Sequence, residues 1–182
     1  MSEGNSEKRL EAGLDGRMRR IKAVFFDVDG VLTDGKIYLG RREDAKAYST
    51  KDGFGILVAG TAGLEVSLVT GRSSASVTRR AGELGIKAFQ NVEDKLACVR
   101  TICERTGLGL DEVGFAGDDL NDLKVMKEVG VAFAVANAAD EIKAVAHLTI
   151  SKNGGEGAAR EVIERILRSQ GKWDEAVRKF VG

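Results

Sequence analysis

Hydrophobic and polar positions follow two different periods along this chain, and where one gives way to the other predicts its elements. The apolar run over 21–26, reading IKAVFF, is short and rich in β-branched and aromatic side chains, so it reads as a buried strand. Further short apolar runs over 64–69, 86–89, 113–116, 131–135 and 147–150 predict five more strands. Between them lie stretches of helical spacing. One covers 52–63, with Phe54, Ile56, Leu57 and Val58; another covers 93–106, with Leu96, Val99, Ile102 and Cys103. Others cover 120–129, 140–146, 158–169 and 172–180. Ser73 is placed to cap a further helix that Gly85 closes. Residues 36–39 and 45–49 have strand character around the polar run 40–44, which predicts a β-hairpin. Residues 1–20 are polar and predict a flexible or helical arm. Strands alternating with helices predict an α/β fold, a doubly wound Rossmann-like parallel sheet with right-handed crossovers, in one domain over 21–182.

Bulk properties narrow the function. The 182 residues carry 28 basic and 28 acidic side chains, so no overall positive field invites nucleic acid. No apolar run reaches the ~18 residues of a membrane span, and the polar first 20 residues do not read as a signal peptide. Two cysteines, Cys98 and Cys103, form no disulfide or metal framework and read as reduced thiols of a cytoplasmic protein. The lone histidine, His147, reads as a satisfied edge or core residue, and Trp173 as packing for the last helix. Neither a phosphate-binding GxxxxGK[ST] loop nor GxGxxG is present, which argues against a nucleotide site.

The chemistry gathers where strands end. The first strand delivers Asp27 and Asp29, then Gly30, which permits a sharp turn. Acids two apart on an extended segment share a face, and two such charges call for a hard divalent cation, most simply Mg²⁺. The second strand ends at Thr70-Gly71-Arg72, and the fourth at Asp118-Asp119, followed by Asn121 and Asp122. Lys95 opens a helix. In a parallel sheet the strand ends fall on one edge, so these groups can converge there. The set suits phosphoryl transfer. One carboxylate attacks phosphorus, and a second protonates the leaving alcohol and then takes a proton from water. Mg²⁺ on Asp27 and Asp118, with Lys95 and the Thr70 hydroxyl on the phosphate oxygens, offsets the repulsion of about 4 kcal/mol between two unit charges ~4 Å apart at an effective dielectric of ~20.

FFDVDGVLTDG, LVTGR, Lys95 and FAGDDLND together resemble the haloacid dehalogenase superfamily of phosphatases. With KDGFGI and GGEGAAREV added, the pattern is similar to the family of 3-deoxy-D-manno-octulosonate (Kdo) 8-phosphate phosphatases. The resemblance implies the same sheet with a hairpin insert and no cap domain. It implies Asp27 as nucleophile and Asp29 as general acid/base. Mg²⁺ would be held by Asp27, the Asp29 backbone carbonyl and Asp118, with Asp119, Asn121 and Asp122 in support. Thr70 and Lys95 would bind the phosphoryl group. Ser49, Thr50, Lys51, Asp52, Gly53, Gly71, Arg72 and Arg80 would contact a sugar-acid phosphate, Arg being suited to its carboxylate. It also implies a homotetramer in which the hairpins meet. Glu156 stands where that family often has Arg, and Lys51 where Arg is frequent. A phosphatase for a related nonulosonate 9-phosphate, a receiver domain and a non-catalytic regulatory domain are the alternatives. A receiver domain would place its acidic pair at the first strand and its phosphorylated Asp at a later one, which the DxDG pattern does not match.

Overall fold

A computed structural model describes residues 3–40 and 45–181, with side chains from residue 12 onward. Six parallel strands form one sheet: β1 (Ala23–Phe26), β2 (Glu65–Val69), β3 (Lys87–Phe89), β4 (Val113–Gly117), β5 (Val131–Ala134) and β6 (Leu148–Thr149). Their spatial order is β3-β2-β1-β4-β5-β6, so the doubly wound expectation holds. The chain reverses its direction of growth between β1 and β4, which pair in register from Ala23↔Val113 to Phe26↔Ala116. All four residues of β1 are buried, as are all of β4 and β5, because helices cover both faces. Phe25, Phe26, Phe115 and Phe133 fill the centre of the core.

The helices are α1 (Glu3–Arg20), α2 (Thr50–Thr61), α3 (Ala75–Leu84), α4 (Lys95–Thr106), α5 (Leu123–Met126), α6 (Asp140–Val145), α7 (Ala158–Ser169) and α8 (Trp173–Val181). The amphipathic spacing over 158–169 matches α7, which buries Ala158, Ala159, Val162, Ile163, Ile166 and Leu167 on one face. Two expectations are corrected, and the hairpin is met in part. Ser74, not Ser73, precedes α3, and its hydroxyl makes no cap bond; Gly85 does close the helix, at φ 66°. The helix expected over 120–129 shrinks to α5, because the Asp119 side chain accepts from the Leu120 N–H and tightens 120–122 into a separate turn. Of the hairpin, one antiparallel bridge pairs Tyr38 with Ala45; residues 41–44 lie outside the described residues.

Lone residues settle as expected. His147 Nδ1 accepts from the Ala132 N–H at 3.0 Å, and Trp173 is buried under Arg160 and Arg168. Both cysteines are free thiols. No helix among the described residues is long and apolar enough to cross a membrane.

Candidate active site

Asp27 follows β1 directly, and its N–H donates to Ala116 O at 3.0 Å, so the strand pairing carries the acid to the edge of β4. Asp29 keeps an extended backbone, and Gly30 turns at φ 99°. A Cβ on Gly30 would stand 1.9 Å from Asp118 Oδ2, so only glycine lets the acid after β4 lie against the turn after β1. The loop before α7 closes on the same turn. A Cβ on Gly154 would stand 1.7 Å from Gly30 O, and the Gly155 N–H donates to Val31 O at 2.9 Å.

Lys95 reaches this edge from the first turn of α4, which Asp94 caps through the Ala97 N–H. Its Nζ stands 2.8 Å from Asp27 Oδ1 and 2.6 Å from Asp122 Oδ1, and its side chain is 1% exposed. Asp122 Oδ2 accepts from the Asp118 N–H at 3.1 Å. Asp27, Asp118 and Asp122 each offer an oxygen within 4.8 Å of the others. Three carboxylates face one ammonium, which leaves two negative charges when all are ionised. That surplus matches a divalent cation. Asp118 Oδ1 is buried with no partner, the state expected of an oxygen meant for a metal. Oxygen ligands throughout suit magnesium.

The electrostatics carry the same mark. Burial, then the charges of Asp27 and Asp122, push the Asp118 carboxyl up to about 8. Burial and then Asp27 push Asp122 up to about 6. Burial raises Asp27 as well, against the pull of Lys95. Burial opposes the charge on Lys95, yet Asp27 and Asp122 outweigh it and raise its pKa.

Thr70 is buried at the end of β2, beside β1, and its Oγ1 accepts from the Arg72 N–H at 3.3 Å. Asp29 stands apart from the carboxylate cluster. Its Oδ1 pairs with Lys46 Nζ, and its Oδ2 is buried without a partner. Asp119 and Asn121 are exposed, so of the three supporting residues Asp122 alone lies within the cluster.

The expected sugar-binding residues collect at the start of α2 and beside it. Ser49 caps α2, and Arg80 Nη2 donates to Ser49 O at 3.5 Å while its guanidinium lies 5.9 Å from the Tyr48 ring. Gly53 packs under Arg80. Thr50, Lys51, Gly71 and Arg72 are exposed at the rim, where Lys51 and Glu156 line one groove with Tyr48 and Asp34. Asp52 is committed elsewhere. It is buried, and its oxygens accept from the Gly157 N–H at 3.3 Å and the Arg160 N–H at 2.8 Å, capping α7. Reading the sequence missed Lys46. The alternation small-Lys-small-Tyr over 45–48 was the available signal, since it turns Lys46 and Tyr48 to one side of an extended segment.

Residues 90–162 match the family model for haloacid dehalogenase-like hydrolases. The chain is 38% identical to the 3-deoxy-D-manno-octulosonate 8-phosphate phosphatase of Escherichia coli K12 over 92% of this chain and 90% of that protein. The chain belongs to the haloacid dehalogenase-like hydrolases. Within the family it sits among phosphatases. The 3-deoxy-D-manno-octulosonate 8-phosphate phosphatase of Moraxella catarrhalis, solved with magnesium, phosphate and Kdo, superimposes with a TM-score of 0.89 at 37% identity, over 92% of this chain and 97% of that one. The cobalt-bound deoxy-D-mannose-octulosonate 8-phosphate phosphatase of Haemophilus influenzae gives 0.86 at 33%, over 91% and 99%.

Proposed function

We propose that this enzyme is a Mg²⁺-dependent phosphatase that hydrolyses Kdo 8-phosphate to the free sugar acid and phosphate. The observation that carries the chemistry is the buried Asp27–Lys95–Asp122 network beside the unpartnered Asp118 Oδ1. The observation that carries the substrate is the likeness to Kdo 8-phosphate phosphatases along nearly the whole chain.

Asp27, Asp118 and the Asp29 backbone carbonyl would hold the ion, with Asp122 beside them. Bound there, Mg²⁺ supplies positive charge against which the phosphate and the attacking carboxylate can approach. Lys95 and the Thr70 hydroxyl orient the phosphoryl oxygens. Asp27 attacks phosphorus, the bond to the sugar oxygen breaks, and Asp29 gives its proton to that oxygen. Water then attacks the aspartyl-phosphate, losing a proton to Asp29, and the Asp27–phosphorus bond breaks to release phosphate. Arg72 and Arg80 face the sugar acid's carboxylate, while Ser49, Thr50, Lys51, Gly53 and Gly71 line its approach. The same reading takes 21–182 as one phosphatase domain with 1–20 as an appended helical arm. It takes the enzyme as a cytoplasmic homotetramer, for which the exposed Tyr38 and Leu39 on the arm after β1 supply apolar surface.

Phosphate release with Mg²⁺ across a panel of sugar phosphates, including nonulosonate 9-phosphates, tests this. Strong preference for Kdo 8-phosphate, lost in Asp27→Asn, is the expected result. Flat, weak activity would remove the substrate, and none at all would remove the phosphatase.

A further inference from the structure

The arm between the catalytic turn and α2 brings to the site a group that no role above includes. Over 45–48, Lys46 and Tyr48 turn inward and Ala45 and Ala47 outward. The Lys46 side chain is 1% exposed, deeper than the 19% of the Asp29 carboxylate it pairs with. Lysine is almost never this buried unless paired, because its ammonium loses hydration on burial. The pair occupies one Asp29 oxygen and leaves the other, Oδ2, buried with no partner.

We propose that Lys46 is a positioning residue for Asp29: its ammonium holds Oδ1, fixes the rotation of the carboxyl, and leaves Oδ2 as the oxygen that meets the leaving group and then the hydrolytic water. This rests on the reading of Asp29 as the acid/base. The arm has anchors of its own besides Lys46. Tyr48 Oη lies 3.4 Å from Ser76 Oγ, and Arg80 stacks on its ring. Loss of Lys46 therefore frees the carboxyl without unseating the arm. The role also makes correct seating of the arm a condition of turnover, which ties a segment outside the sheet to the proton transfer.

The test uses the difference between leaving groups. An alkoxide leaving from a sugar phosphate needs the Asp29 proton, whereas p-nitrophenolate does not. For Lys46→Met, kcat on the best sugar phosphate of the panel should fall roughly 10–100-fold, part of the 10²–10⁴ typical of general acid–base catalysis, with KM within about threefold. The first-turnover burst of nitrophenolate from p-nitrophenyl phosphate should keep its rate within about threefold, because that step needs no proton from Asp29. Lys46→Arg should recover part of the lost kcat, since it keeps a charged donor. A burst that slows in parallel with the sugar phosphate, or a loss confined to KM, overturns the proposal. Asp29→Asn, measured alongside, separates the two failures. If it shows the selective loss and Lys46→Met does not, Lys46 alone is misassigned. If it loses both substrates alike, the reading of Asp29 falls, and the role of Lys46 with it.

Discussion

Asp27, Lys95, Asp118 and Asp122 stand on the ends of two paired central strands and on helix turns anchored beside them, and each contacts or adjoins another member of the set. Arg72, Lys51 and Glu156 stand on turns and helix starts at the rim, exposed or half-exposed. The first group is prepaid: its side chains are bonded to one another and held in place before any ligand arrives, as preorganised electrostatic stabilisation requires. The second group lies at the surface, so its side chains can be exchanged without disturbing the sheet. A family can then keep its reaction and change its substrate. Glu156 and Lys51 both fall in this second group.

Breaking the buried group should have the largest effect. Lys95→Met leaves three carboxylates facing each other with no cation from the protein. Turnover should fall at least about a hundredfold, because phosphate orientation and charge compensation go together. The metal-free protein should lose roughly 3–5 kcal/mol, the usual result of removing one partner from a buried ion pair. Denaturant unfolding in EDTA measures it. A variant as stable as the parent would show that the Lys95 network is not buried as described. The same change at the exposed Lys51 should leave stability within about 0.5 kcal/mol and act on KM alone.

That contrast also explains what the sequence could reveal. Asp29, expected on one face with Asp27, stands apart from the carboxylate cluster, but Asp27 and Asp118 were legible because an apolar strand that ends in acids is a local signal, readable within a few residues. The α7 face was legible for the same reason. Asp52 and Lys46 were not. Asp52 meets its partners at Gly157 and Arg160, 105 and 108 positions away, so no local pattern marks it as a cap. The alternation over 45–48 turns Lys46 to one side of its segment, but its partner shows only once the arm folds back onto Asp29, 17 positions earlier. The short α5 was misjudged because acids that cap a turn also resemble the first turn of a longer helix. Sequence periodicity reports what a segment does with its own neighbours; the links between segments come only from the fold.

Asp52→Ala sharpens the comparison at its boundary. It lies in the KDGFG stretch, beside residues assigned to the sugar, yet both its oxygens serve the start of α7. Loss of such a cap should cost about 1 kcal/mol, or roughly 2–4 °C in Tm for a chain this long, with KM unchanged. A several-fold rise in KM at unchanged Tm would move Asp52 from scaffold to substrate site.

Between the Lys95 and Asp52 substitutions in size stands the effect of pH acting on the metal-free cluster. Asp118 at about 8 and Asp122 at about 6 sit above the ordinary carboxylate range. The unfolded chain therefore gives up these protons first, and the folded protein binds more of them across the interval from about 4 to about 8. Where the folded state holds the extra protons, stability falls as pH rises, so the metal-free protein should be firmest at the acid end of that interval and weakest above it. Magnesium must displace those protons to bind, so its stabilisation runs the other way and grows with pH. At a hundred times its Kd the ion contributes about 2.7 kcal/mol, or roughly 5–10 °C. Thermal unfolding with EDTA and with excess Mg²⁺, at about pH 6 and about pH 8.5, should give a wider gap at the higher value. A gap that does not change with pH would mean that the ion stabilises the protein from somewhere other than Asp27, Asp118 and Asp122, and the division between a prepaid chemical centre and an adaptable rim would have to be redrawn.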